Sequence, residues 1–79
     1  MKMTQKREPG KALTVRFGQR VRELREARGW IQTDLAYHSR LERAFISRLE
    51  NGATNASLET VERLARVFEI PVEELFKGL

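Results

Sequence analysis

The stretch from Gln32 to Leu49, QTDLAYHSRLERAFISRL, leaves this chain few ways to fold. It reads as two short helices joined by a tight turn. With the first helix starting near Gln32, Leu35 and Ala36 share one face, and Ala36 is small enough to let a second helix cross close over it. The second helix repeats apolar residues at Leu41, Phe45 and Leu49, with Ile46 beside them, the i, i+4, i+8 stripe of an amphipathic helix. Leu41, Leu49 and one of Phe45 or Ile46 face inward, while Glu42, Arg43, Ala44, Ser47 and Arg48 lie off the stripe and project outward. A short helix with side chains held out in this way fits the major groove of DNA. The spacing therefore predicts a helix-turn-helix in a sequence-specific DNA-binding domain, although periodicity alone does not separate it from two amphipathic helices with an ordinary solvated face.

The identity of the residues adds a resemblance. Gln32, Ala36 four residues on and Ile46 ten further, followed at once by Ser47-Arg48-Leu49-Glu50-Asn51-Gly52, resemble the helix-turn-helix of the phage-repressor-like family that includes the lambda and xenobiotic-response-element-type repressors. The resemblance continues through Ser57-Leu58-Glu59-Thr60 to Pro71-Val72-Glu73-Glu74-Leu75-Phe76, covering residues 14 to 77. Within that family, the run Leu41-Glu42-Arg43-Ala44-Phe45-Ile46-Ser47 is most similar to the controller proteins of restriction–modification systems. The resemblance implies an all-α fold, a compact five-helix lambda-repressor-like DNA-binding domain with the helix-turn-helix at the second and third helices.

Two positions depart from the family pattern. The family often has Gly at the turn, where the backbone tends to be left-handed, and this chain has Arg40 there, preceded by Ser39. A residue with a side chain is strained in that conformation, which points to a reshaped turn. The position before Gln32 is usually a Ser or Thr that caps the helix, and here it is Ile31, a loss of about 1 kcal/mol of capping.

Seventy-nine residues give room for one small domain and no second, ligand-sensing one. With 41% hydrophobic and 33% charged residues the chain suits a compact helical domain whose small core would gain from oligomerisation. The absence of cysteine excludes disulfides and thiolate metal sites. No cofactor, metal or small-molecule ligand is expected. No apolar run is long enough to span a bilayer and no signal-peptide core is present, so a soluble, cytoplasmic chain with no membrane partner is expected. The net charge of +4 is unevenly spread. Residues 1 to 12 carry +3, from Lys2, Lys6, Arg7 and Lys11 less Glu8, and residues 13 to 30 carry +3, from five arginines less Glu23 and Glu26. Residues 51 to 79 carry −2. Positive charge near the start favours a polyanion through counterion release, though a solvated basic surface would look the same.

In chain order, residues 1 to 12 are polar, contain Pro9-Gly10 and show no apolar period; they read as a flexible basic arm, leaving 13 to 79 as the domain. Such an arm reaches along DNA in some proteins and floats free in more. Leu13, Phe17, Val21 and Leu24 mark a first helix that ends at Arg28, with Gly29 as its C-cap and Arg16, Arg20, Arg22, Arg25 and Arg28 on a largely solvated outer face. Trp30 seals the core edge. The second helix runs from Gln32 to His38 and the third from Glu42 to Glu50, which Asn51-Gly52 caps. After the polar loop 53 to 56, Ser57 caps a fourth helix whose buried stripe is Leu58, Val61, Leu64, Ala65 and Phe68. Pro71 opens a short fifth helix with Val72, Leu75 and Phe76 on its apolar side.

Roles follow from chemistry and from the resemblance. Arg43 is the strongest candidate for base reading, because a guanidinium donates two parallel hydrogen bonds to O6 and N7 of guanine. Arg48 could do the same or bind phosphate, Ala44 touch a thymine methyl, Ser47 donate or accept, and Glu42 accept from a cytosine amino group or orient Arg43. The resemblance makes Gln32, Asn51, Thr54 and Asn55 phosphate-contacting positions. It also implies a homodimer through Val67, Ile70, Val72 and Phe76, which otherwise complete a monomer's core. Such a dimer would read a pseudo-palindromic operator in double-stranded DNA, with RNA polymerase as a further candidate partner. An enzyme is not expected: there is one histidine, no phosphate-binding glycine loop and no carboxylate pair set for acid–base work. The rival reading is a protein-interaction module, an antitoxin or adaptor on the same fold. RNA binding is disfavoured by an expected lack of exposed aromatics.

Overall fold

In a computed structural model describing residues 12–79, five helices and no strand are found among the described residues. The helices are α1 (Leu13–Ala27), α2 (Gln32–Ser39), α3 (Arg43–Glu50), α4 (Leu58–Phe68) and α5 (Val72–Leu75). The expectation of a basic arm falls on residues outside that range, except for Ala12, the extended N-cap of α1. The all-α, five-helix fold is as expected, with boundaries shifted by at most a residue or two.

α1 packs on α3, α2 on both α3 and α4, and α5 on α4. The core between them is Phe17, Val21, Leu35, Ile46, Leu49, Val61, Leu64, Ala65, Phe68 and Leu75. Of the two candidates on α3, Ile46 is fully buried and Phe45 half-buried. Trp30 lies on the core edge as expected, stacked 6.1 Å from Phe68. Leu58 departs from expectation at 86% exposed, and Leu13 is 52% exposed. Both sit at helix starts, and with Phe17, Val61 and Phe76 they line an open cleft of about 260 Å³.

Helix ends explain the chain's punctuation. α3 stops in a Schellman motif, with Gly52 N–H bonded to the Leu49 carbonyl at 3.0 Å and Ala53 N–H to the Arg48 carbonyl at 2.9 Å. Gly52 has φ +72°, and a Cβ there would lie 2.8 Å from the Val15 side chain. Ser57 caps α4 as expected, accepting from Thr60 N–H at 3.0 Å. At α2 the missing Ser or Thr is half compensated: Ile31 cannot accept a bond, but the Asp34 carboxylate takes the Ile31 N–H at 2.9 Å.

The turn between α2 and α3 keeps the left-handed form without glycine. Arg40 has φ 61° and ψ 28°. Buried Ser39 braces it, its hydroxyl accepting from Leu41 N–H at 3.3 Å. An L-residue in this conformation costs about 1–2 kcal/mol.

Gly18, inside α1, escapes a reading by periodicity alone. A Cβ there would overlap the Leu49 carbonyl oxygen and crowd that of Glu50, so glycine is what lets α1 lie against the end of α3. Gly18→Ala is expected to lower stability by about 1–3 kcal/mol, because backbone crowding outweighs alanine's better helix propensity of about 0.5–1 kcal/mol. Arg40→Gly is expected to raise it by about 0.5–1 kcal/mol, strain relief exceeding glycine's extra chain entropy. Urea midpoints at constant slope check both.

Candidate nucleic-acid interface

The outward face of α3 is built from its inward one. Ile46, Leu49 and Glu50 are buried, which turns Arg43, Ala44 and Arg48 to solvent and leaves Ser47 half-buried between the faces. Glu42 is the exposed N-cap of α3 and makes no side-chain cap bond. Asn51 closes the helix as its C-cap, exposed, and Asn55 is exposed and Thr54 half-buried in the loop that follows. All of these expected DNA-contacting positions thus lie on α3 or next to its ends. Gln32 joins them from the start of α2.

What fixes this face is a buried ion pair. The Arg25 guanidinium grips the Glu50 carboxylate with both prongs, Nε to Oε2 at 2.7 Å and Nη2 to Oε1 at 2.9 Å. Its remaining Nη1 donates to the Trp30 carbonyl at 2.8 Å. Both residues are buried. The hydrogen bonds to Glu50 hold the Arg25 guanidinium above the ordinary arginine range, outweighing the desolvation that opposes them. The pair ties the last turn of α1 to the last residue of α3.

The network reaches the surface through Gln32. Its Nε2 donates to Glu50 Oε1 at 3.1 Å, and its Oε1 lies 3.4 Å from Arg43 Nη1. A carboxylate only accepts, so Glu50 must face the amide nitrogen of Gln32. The amide oxygen is left for Arg43. The guanidinium expected to read a base is therefore placed beside Gln32, and not beside Glu42. Arg48 lies at 6.0 Å from the Phe45 ring centre.

The outer face expected for α1 needs correction. Among the described residues Arg22 pairs with Glu26 alone, one turn on, at 3.2 Å. Arg20 donates to the Glu74 carbonyl at 2.7 Å, Arg28 to the Phe68 carbonyl at 2.5 Å, and Arg16 to the Leu79 carbonyl. Arg28 also lies over the Phe68 ring at 4.7 Å. Four of five arginines thus bond other parts of the domain, Arg20 and Arg28 by taking carbonyls that the ends of α5 and α4 leave open. A signal for Arg25 was present: Phe17, Val21 and Arg25 stand four apart, on the core-facing stripe of α1. The expectation of no exposed aromatic also fails, at Tyr37, which is 79% exposed beside His38. His38 is exposed and stacked 4.5 Å from Trp30.

At the other end of the domain, Val67, Ile70 and Phe76 are half-buried against the core and Val72 is 40% exposed. Phe76 stacks on Phe17 at 5.2 Å. Among the described residues no helix is long and apolar enough to cross a membrane.

Comparison with known proteins places this geometry. Residues 16–76 match the family described as "Helix-turn-helix domain". The chain belongs to that helix-turn-helix family. It is 41% identical over 61 residues to the HTH-type transcriptional regulator DdrOP3 of Deinococcus deserti, a match taking in 77% of this chain and 47% of that protein. Two further regulators are matched over 43% and 54% of their lengths, so the chain spans about half the length of these curated relatives. It is 33% identical over 60 residues to the control protein C.BamHI of Bacillus amyloliquefaciens, covering 75% of this chain and 74% of that one. Among solved structures, the restriction-modification controller protein C.AhdI of Aeromonas hydrophila superposes with a TM-score of 0.75 at 44% identity, over 78% of this chain and 90% of that chain. The family and the controller-protein likeness read from the sequence are both found.

Glu50→Ala would leave the Arg25 charge buried without its partner, and stability is expected to fall by about 3–5 kcal/mol in urea unfolding. A fall under about 1 kcal/mol would mean that water or Gln32 replaces the carboxylate at no cost.

Proposed function

We propose that the chain is a transcriptional regulator that reads double-stranded DNA through α3 and binds a pseudo-palindromic operator as a homodimer. The observation that carries the reading is the exposed row Arg43, Ala44 and Arg48 on a helix whose opposite face is fully buried. Eight residues make a rod of about 12 Å, a size that enters a major groove. Arg43 supplies a bidentate donor for guanine, Ala44 a methyl for thymine, Ser47 and Glu42 further donors and acceptors, and Arg48 a second cation. Gln32 at one end of the site and Asn51, Thr54 and Asn55 at the other bind phosphates and fix the register. Gln32 then has two tasks, a phosphate contact and the support of Arg43.

Relatives named as regulators and controller proteins agree with this reading. One small module contacts few base pairs, so two copies with their α3 helices about 34 Å apart would double the site. The half-buried Val67, Ile70 and Phe76 and the more exposed Val72 form the rim that a second copy would cover. Bound near a promoter, the dimer would block or recruit RNA polymerase.

The test is selection of bound duplexes from a randomised pool at two salt concentrations, with Arg43→Ala in parallel. A two-fold-symmetric motif with half-sites one turn apart is expected, and Arg43→Ala should relax one position by about 1–3 kcal/mol. Weak, salt-sensitive binding with no motif would overturn the proposal, since it would leave only charge attraction.

A further inference from the structure

Two open clefts border α4, one toward each end of α3. The first is lined by Leu13, Phe17, Leu58, Val61 and Phe76, with Thr54 and Asn55 from the loop after α3. The second is lined by Arg40, in the turn before α3, with Arg63, Arg66 and Val67 of α4. Val67 is nine residues past Leu58, about two and a half helical turns, so the two stand on opposite sides of α4. The residues expected to meet a second copy therefore divide. Phe76 lines the first cleft and Val72 stands one turn before it, while Val67 lines the second.

Charge separates the two. Among the described residues no charged side chain lines the first cleft, so it holds no cation for a phosphate or for an acidic segment. What it presents is apolar surface, including the exposed Leu13 and Leu58, on a domain whose core is small. An exposed leucine beside an apolar cleft is matched by a second copy of the same surface, because a two-fold contact buries both leucines at once. Around Val67 the same symmetry would set Arg40, Arg63 and Arg66 against their own copies, and like charges oppose that contact.

We propose that the homodimer forms across the first cleft, with Leu58 of each copy seated against Phe17, Val61 and Phe76 of the other and with Leu13 and Val72 around it. This rests on the dimeric reading given above and names the face that carries it, with Val67 at its margin at most. It also sets the direction of α3 on the operator. Thr54 and Asn55 line the cleft, so the Asn51 end of each α3 turns toward the two-fold axis and the Arg43 end away from it. A dimer centred on Val67 would reverse that order, because Arg40 precedes α3.

Sedimentation equilibrium of the whole chain tests the contact. Leu58→Ser alters an exposed side chain, so the variant should keep its fold, which helical circular dichroism checks. Its dimer dissociation constant is expected to rise by about a hundredfold, since the substitution acts twice across a two-fold contact. Val67→Thr, of similar shape, should leave that constant within about threefold of wild type. In the duplex selection described above, the base pair relaxed by Arg43→Ala should lie in the part of each half-site far from the two-fold axis. A Leu58→Ser dimer as tight as the wild type, or a relaxed base pair next to the axis, would overturn this face and leave the dimeric reading standing. A wild type that stays monomeric at every concentration would overturn both.

Discussion

The Arg25–Glu50 ion pair is the interaction on which the rest of this domain depends. It closes α1 onto the end of α3 at the point where Gly18 lets the two helices approach, and both partners are buried. A buried ion pair adds little net stability over a well-packed apolar pair, yet breaking it is costly. Its value here lies in direction. A bidentate fork has one geometry, and an apolar contact in its place would permit small rotations of α3.

That direction is passed outward. Glu50 can only accept, so Gln32 must present its amide nitrogen inward and its oxygen toward Arg43. Under the proposed function, the side chain best suited to read a guanine is thereby held beside a neighbour in the free protein, which would lower the ordering cost of binding. The same α1 supplies Arg20 and Arg28 to carbonyls at the ends of α5 and α4, and Arg16 to the Leu79 carbonyl. The α1 arginine charge that looked available for a polyanion is largely taken up within the domain, which under the proposed function leaves α3 and its flanking loop as the contact surface.

The fold was legible because its signals are local. The apolar stripes of α1, α3 and α4, the Ser57 cap, Gly52 after α3 and the start of α5 after Pro71 each follow from a few neighbouring residues. The motif puts a left-handed turn at this place and Arg40 pointed to a reshaped one; the structure keeps the turn left-handed, at φ 61°. What escaped depends on partners distant in sequence: Arg25 finds Glu50 twenty-five residues away, and Gly18 faces the Leu49 carbonyl across a helix crossing. Leu58 was placed inside because its period with Val61 and Leu64 is correct; nothing in the period says that its place at the start of α4 lines an open cleft. Tyr37 was overlooked as a surface aromatic for the same reason, since exposure at the far side of a short helix is set by what packs there. The positions expected to read DNA lie together at α3, as their spacing implied, but the placing of Arg43 beside Gln32 needed coordinates.

The most direct measurement of the claim that the buried pair orients the reading face is the ratio of affinities for a selected and a scrambled duplex. It should be taken for the wild type and for Arg25→Met/Glu50→Leu, with urea unfolding in parallel. The double variant is expected to remain folded with stability near that of the wild type. Its discrimination should fall by about tenfold, equivalent to one base contact of about 1.4 kcal/mol. An unchanged ratio in a folded variant would contradict the account, because apolar packing of α3 alone would then suffice to aim Arg43.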